Sequence, residues 1–104
     1  MVARMWHGRV SAEKEEEYHA YIQRTGLKDF ADTKGNRGAL LLTRKEGEIT
    51  HFYTLSFWED MNAICLFAGH EPEKARYYPE DADYLLELEP RVAHFEVASA
   101  TWPV

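Results

Sequence analysis

The sequence predicts an α+β domain: a four-stranded antiparallel sheet with helices on one face, in the order β-α-β-β-α-β. Three observations carry this. Period-two alternation marks four strands. Two segments with apolar residues at helical spacing lie after the first and third strands. A Glu46-Gly47-Glu48 turn joins the middle strands into a hairpin. This element order is the split βαβ, ferredoxin-like arrangement.

The elements follow in chain order. Val2–Val10, "VARMWHGRV", alternates partially and reads as the first strand. Ser11 is placed to cap the helix that follows, "AEKEEEYHAYIQRTG". Its acids Glu13, Glu15, Glu16 and Glu17 sit near the positive end of the helix dipole, as a solvated helix start. Tyr18, Tyr21, Ile22 and Thr25 share one face, and Gly26 suits the helix end. "LKDFADTKGNRG" carries Gly and Asn turn signals and reads as a connection. "ALLLTRK" and "ITHFYTLSFW" are the hairpin strands. On the second of these Ile49, His51, Tyr53, Leu55 and Phe57 face one way; Phe52, Thr54, Ser56 and Trp58 face the other. "EDMNAICLFAG" is the second helix, with a Met61, Ile64, Cys65 and Ala68 stripe and Phe67 beside it, closed by Gly69. "PEDADYLLELEP" reads as a short helix or turn and "RVAHFEVASATW" as the last strand.

The chain has 104 residues and no repeat or linker, so residues 1–104 are expected to form a single domain. The formal charge is −6 and the Lys and Arg residues are scattered. That argues against nucleic acid or an anionic membrane as partner. No apolar run is long enough to span a bilayer, and the first residues lack the succession of a signal peptide. Cys65 is the only cysteine, which fits a reducing, cytoplasmic compartment and reads as a small core residue. Large side chains on both faces of "ITHFYTLSFW" mean that helices on one face leave the other to be buried. A second copy is the simplest cover, so a homodimer is expected.

Several stretches resemble the antibiotic biosynthesis monooxygenase family of the dimeric α+β barrel superfamily: "ARMWHGRV", "GNRGALLLTR", "LSFWEDMNAICLFAG" and "ARYYPEDADYLLELEPRVAHFEV". The likeness spans nearly the whole chain, and the Leu-Ser-Phe-Trp-Glu segment and His94-Phe95-Glu96-Val97 carry it most strongly. It implies a pocket between helices and sheet. It implies cofactor-independent oxidation of a small, planar, apolar compound, phenolic or polycyclic, with neither metal nor flavin. Quinone-forming members place an Asn and a Trp one turn apart on the second helix, with a Tyr and an Arg nearby. Here Asn62 is present, Leu66 stands at the Trp position, and Arg76 with Tyr77 or Tyr78 fills the remaining places. Haem degraders carry an Asn, a Trp and a His at positions held here by His7, Phe67 and Tyr77. Haem binding or degradation is therefore the least favoured reading, and no cofactor is expected.

Oxygenation without a cofactor needs a base that frees an electron-rich anion and walls that hold it away from water. His7, His94 and Tyr77 are the candidate catalytic residues. His94 also reads as a core side chain satisfied by its neighbours. Trp6, Trp58, Asn62, Phe67, Arg76 and Tyr78 are the candidate substrate contacts, with packing as the other role for Trp58. His19 and His51 read as part-exposed. Either Tyr77 or Tyr78, with His7 or His94, is expected to open onto one cavity, and adjacent tyrosines in an extended segment are expected to point opposite ways. The alternative in another class is a non-catalytic barrel that binds a small hydrophobic molecule.

Overall fold

The computed structural model describes residues 1–102 and has the expected architecture. The strands are β1 (Val2–Ser11), β2 (Asn36–Glu46), β3 (Ile49–Trp58) and β4 (Ala93–Glu96). The helices are α1 (Glu15–Arg24), α2 (Gly26–Asp32), α3 (Met61–Ala68) and the single turn α4 (Asp81–Tyr84). The sheet is antiparallel throughout, in the order β2-β3-β1-β4, so the first and third strands are central.

Strand parity decides what each residue meets. The register pairs Arg4 with Ser56, Trp6 with Thr54 and Val10 with Thr50. The even-numbered positions of β1 and β3 lie under the helices, where Val10, Phe52 and Trp58 are wholly buried. Two cores form there. One joins Val2, Phe30, Trp58, Ala63, Ile64 and Phe67; the other joins Val10, Tyr18, Tyr21, Ile22, Phe52 and Leu85. Between them the central strands carry Arg4, Trp6 and Gly8 on β1 and Thr54 and Ser56 on β3. Small and polar positions in mid-sheet separate two apolar cores.

Four local expectations are corrected. The segment Leu27–Asp32 is helix, not turn. Phe30 is buried against Trp58 and Phe67, and Lys28 donates to Asp32 at 2.6 Å along its exposed side. The Gly and Asn turn signals act only afterwards, at Gly35 and Asn36. Ser11 makes no side-chain cap; a 3₁₀ turn, Ala12–Lys14, leads into α1 instead. The last strand is confined to Ala93–Glu96, because it pairs only with Val2–Met5. On α3 the buried residues are Ala63, Ile64 and Phe67, whereas Met61 is exposed.

The face that carries the odd-numbered positions of β1 and β3 has no helix over it. Leu40, Leu42 and Phe95 are 46%, 40% and 53% exposed there, and the Trp102 ring packs edge-on against Phe57. The other end of this face is polar. His7 Nδ1 lies 2.7 Å from Glu89 Oε2, His7 Nε2 lies 2.8 Å from His51 Nδ1, and His51 Nε2 lies 2.8 Å from Glu46 Oε1. Tyr53 packs beside the His7 ring at 4.8 Å. Among the described residues no helix is long and apolar enough to cross a membrane.

Candidate functional site

A half-open cavity of about 50 Å³ lies between the two cores. Arg4, Trp6 and Thr54 form its floor on the sheet. Tyr18 and Ile22 come from α1, Phe30 from α2 and Phe67 from α3. Thr25 and Gly26 border it where α1 gives way to α2, and Arg76, Tyr77, Tyr78 and Asp81 close the remaining side. The last four belong to the connector 69–80 and the start of α4.

The connector is fixed to the sheet. Lys74 bridges to Arg91, Ala75 N–H donates to the Pro90 carbonyl, and Val92 N–H donates to the Glu73 carbonyl. Arg4 grips it from below, donating to the carbonyls of Pro72 at 2.6 Å and Lys74 at 3.2 Å. Arg76 lies between the Phe67 and Tyr78 rings, 4.8 and 4.9 Å from their centres, and donates to the Phe67 carbonyl at 2.9 Å. Asp29 of α2 accepts from both the Tyr78 hydroxyl and Arg76. That one carboxylate ties the connector to the helical layer.

Trp6 and Tyr77 act as a pair. Their rings meet edge to face at 6.3 Å. The Trp6 indole N–H donates to the Tyr77 hydroxyl at 3.1 Å, which in turn donates to the Glu89 carbonyl at 2.6 Å. Trp6 reaches this position by folding over Gly8, where a Cβ would stand 2.6 Å from its ring carbons. Burial raises the Tyr77 pKa, so the hydroxyl stays protonated at neutral pH.

Asp81 is the buried acid of the site, 6% exposed. Its carboxylate accepts from the Tyr18 hydroxyl at 2.8 Å and from the Tyr78 N–H at 2.6 Å. Burial lifts its pKa above the ordinary value, and the two hydrogen bonds work against that rise. Tyr18 is driven upward by its own burial and then by the Asp81 charge. Among the described residues no group of three or more His, Cys, Asp or Glu is arranged to hold a metal ion.

The structure places Trp6, Phe67, Arg76, Tyr77 and Tyr78 around this cavity. Both tyrosines border it, against the expectation that only one would, although their hydroxyls go to different sides, Tyr77 to Glu89 and Tyr78 to Asp29. A turn follows directly, with Asp81 N–H donating to the Tyr78 carbonyl. His7 is a correction: it follows Trp6 on β1 and so points to the opposite side of the sheet. His94 shares the helix-covered side but borders the connector, 3.4 Å from Arg4 Nη1, outside the cavity lining. Burial, then the Arg4 charge, lower its pKa. Trp58 is a core residue whose indole donates to Ser56 Oγ at 2.9 Å, and Asn62 lies exposed at the start of α3. Arg4, Tyr18 and Asp81 were missed. Only Arg4 carried a signal: a charge between Val2 and Trp6 on the covered face of a central strand.

This arrangement of sheet, helices and connector can be matched to solved structures. A candidate antibiotic biosynthesis monooxygenase from Bacillus cereus superposes with a TM-score of 0.68 at 15% identity, over 100% of this chain and 97% of that one. One from Nitrosomonas europaea gives 0.68 at 14% identity, over 95% and 100%. The chain has the antibiotic biosynthesis monooxygenase fold. An uncharacterized NIPSNAP domain protein from Burkholderia xenovorans superposes with a TM-score of 0.58 at 20% identity, over the full length of both chains. No protein-family model and no curated protein matches the sequence. The antibiotic biosynthesis monooxygenase fold therefore accounts for the architecture, and the chemistry has to be argued from the cavity itself.

Proposed function

We propose that this chain is a monooxygenase-like protein that takes a small, planar, largely apolar molecule into the cavity between its helices and sheet. The observation that carries the reading is the wall: Trp6, Phe30, Phe67, Tyr77 and Tyr78 bring five aromatic rings around one buried acid. Aromatic walls with a few convergent polar groups suit a flat ring system. An apolar cavity that admits benzene measures about 150 Å³, three times the volume present. Entry therefore requires the Tyr78 side of the connector to move outward, away from Asp29.

Asp81 replaces the histidines as the base in this reading. Its raised pKa makes it a stronger proton acceptor than an ordinary carboxylate. A phenol with an acidic methylene, once deprotonated, reacts with O₂. One oxygen atom becomes a carbonyl oxygen at that carbon, and the other leaves as water with the two methylene hydrogens. The protein would hold the anion and exclude bulk water. An oxygen electrode with such phenols tests this: one O₂ should be consumed per carbonyl formed. Asp81→Asn should slow uptake by roughly 10²-fold or more, the usual worth of a general base.

The second reading is non-catalytic binding. It is favoured by the commitment of both tyrosine hydroxyls to protein acceptors. Saturable quenching of tryptophan fluorescence without O₂ uptake would select it. In either reading a second copy is the proposed cover for the open sheet face, where Leu40, Leu42 and Phe95 lie exposed.

A further inference from the structure

We infer that the ligand of this cavity is an organic anion whose charged oxygen seats against the Arg4 guanidinium. The inference deepens the reading of the cavity as a binding site for a flat ring and rests on it. Arg4 is 3% exposed, on the central strand β1 with Ser56 and His94 paired on either side. Its partners are two backbone carbonyls and the neutral-leaning His94 ring. Among the described residues no carboxylate is within ion-pair reach of it. Arg9, Arg37 and Arg76, all partly solvent-exposed, have Glu87, Glu59 and Asp29 as partners, while the buried arginine has no acid.

A buried cation without a counter-charge is costly to keep. Two carbonyl dipoles satisfy hydrogens on the guanidinium but leave its net charge uncompensated. Burial lowers the Arg4 pKa to about 10, so it remains charged at neutral pH. The acid of the same cavity makes no ion pair with it: Asp81 accepts instead from Tyr18 and Tyr78. The cavity thus holds a cation on its sheet side and an acid at α4. A planar ligand with an anionic oxygen at one end and a hydrogen-bond donor at the other meets both. Phe67 adds direction, because its ring lies 5.7 Å from the Arg4 guanidinium carbon and gives a ring carried by that anion a surface to pack on.

The test compares 4-hydroxybenzoate with its neutral methyl ester. Binding is read from the Trp6 indole N–H resonance, assigned by its loss in Trp6→Phe. The carboxylate is expected to bind at least tenfold more tightly than the ester. Arg4→Met should abolish that preference, and Arg4→Lys should keep one. A wild-type protein that binds ester and carboxylate equally would overturn the anion inference and leave the ring-binding reading intact. If neither probe shifts the Trp6 resonance at millimolar concentration, both fail together. Should Arg4→Met not fold, for want of its grip on the connector, the wild-type comparison still decides the matter.

Discussion

Replacing Tyr77 by Phe separates a structural hydroxyl from a catalytic one. The hydroxyl stands between two partners: it accepts from the Trp6 indole at 3.1 Å and donates to the Glu89 carbonyl at 2.6 Å. Phe keeps the ring and its edge-to-face contact with Trp6, so little packing is lost. Two part-buried hydrogen bonds disappear. At a net ~0.5–1.5 kcal/mol each, the fold should lose about 1–3 kcal/mol. For a domain of this size that corresponds to a fall in Tm of roughly 5–15 °C. Thermal and urea denaturation of wild type, Tyr77→Phe, Trp6→Phe and the double variant would form a cycle. The Trp6–Tyr77 bond should appear as a coupling of about 1 kcal/mol. An unchanged Tm together with strict additivity would refute the bridge. The hydroxyl would then be free to serve the cavity, as the sequence alone suggested.

Two further outcomes are expected. His94 has its pKa lowered chiefly by burial, so the unfolded chain takes up its proton first as pH falls. The stability it contributes is complete above the ordinary histidine value and is lost as pH drops through the lower folded one. Urea midpoints should therefore decline on acidification below about pH 6.5, and less steeply in His94→Gln; equal slopes would remove His94 from the account. Sedimentation equilibrium at micromolar concentration should give twice the 12.1 kDa chain mass. Leu42→Lys, which places a charge on the open apolar face, should shift the protein to a single chain. A monomeric wild type would leave that face without the proposed cover.

The sheet was legible because alternation survives in both central strands. On β3 the division of residues between faces matches the one observed, down to Phe52 and Trp58 in the cores. The helix α2 was not legible. Its Lys, Asp and following Gly-Asn composition imitates a turn, and only the burial of Phe30 by residues 28 and 37 positions away makes it helical. In the site, the aromatic and basic residues of the connector were readable from their cost in an exposed loop. Parity was the harder matter. Trp6 and His7 both looked suited to the cavity, yet consecutive strand residues cannot share a face, and the choice depends on which face the helices cover. Arg4 and Asp81 meet one cavity from 77 positions apart. Nothing local in "YPEDADY" signals that its first aspartate will be buried beneath two tyrosines.

The row of four side chains on the uncovered face constrains its own proton count. Three contacts run in series from Glu89 through His7 and His51 to Glu46. The carboxylates at the ends can only accept, so each terminal contact draws a proton from an imidazole, and the central N···N contact requires one more. Three hydrogens are therefore needed to make all three contacts, one for each. With one proton fewer, a contact in the series has no hydrogen to hold it. With one more, two N–H groups confront each other across 2.8 Å. The central hydrogen can sit on either ring, His7 Nε2 or His51 Nδ1, and both placements satisfy the whole row. The four side chains are thus coupled, because moving the central hydrogen changes which ring donates and which accepts. An isotope shift introduced at any one of the three bonds should register in the other two.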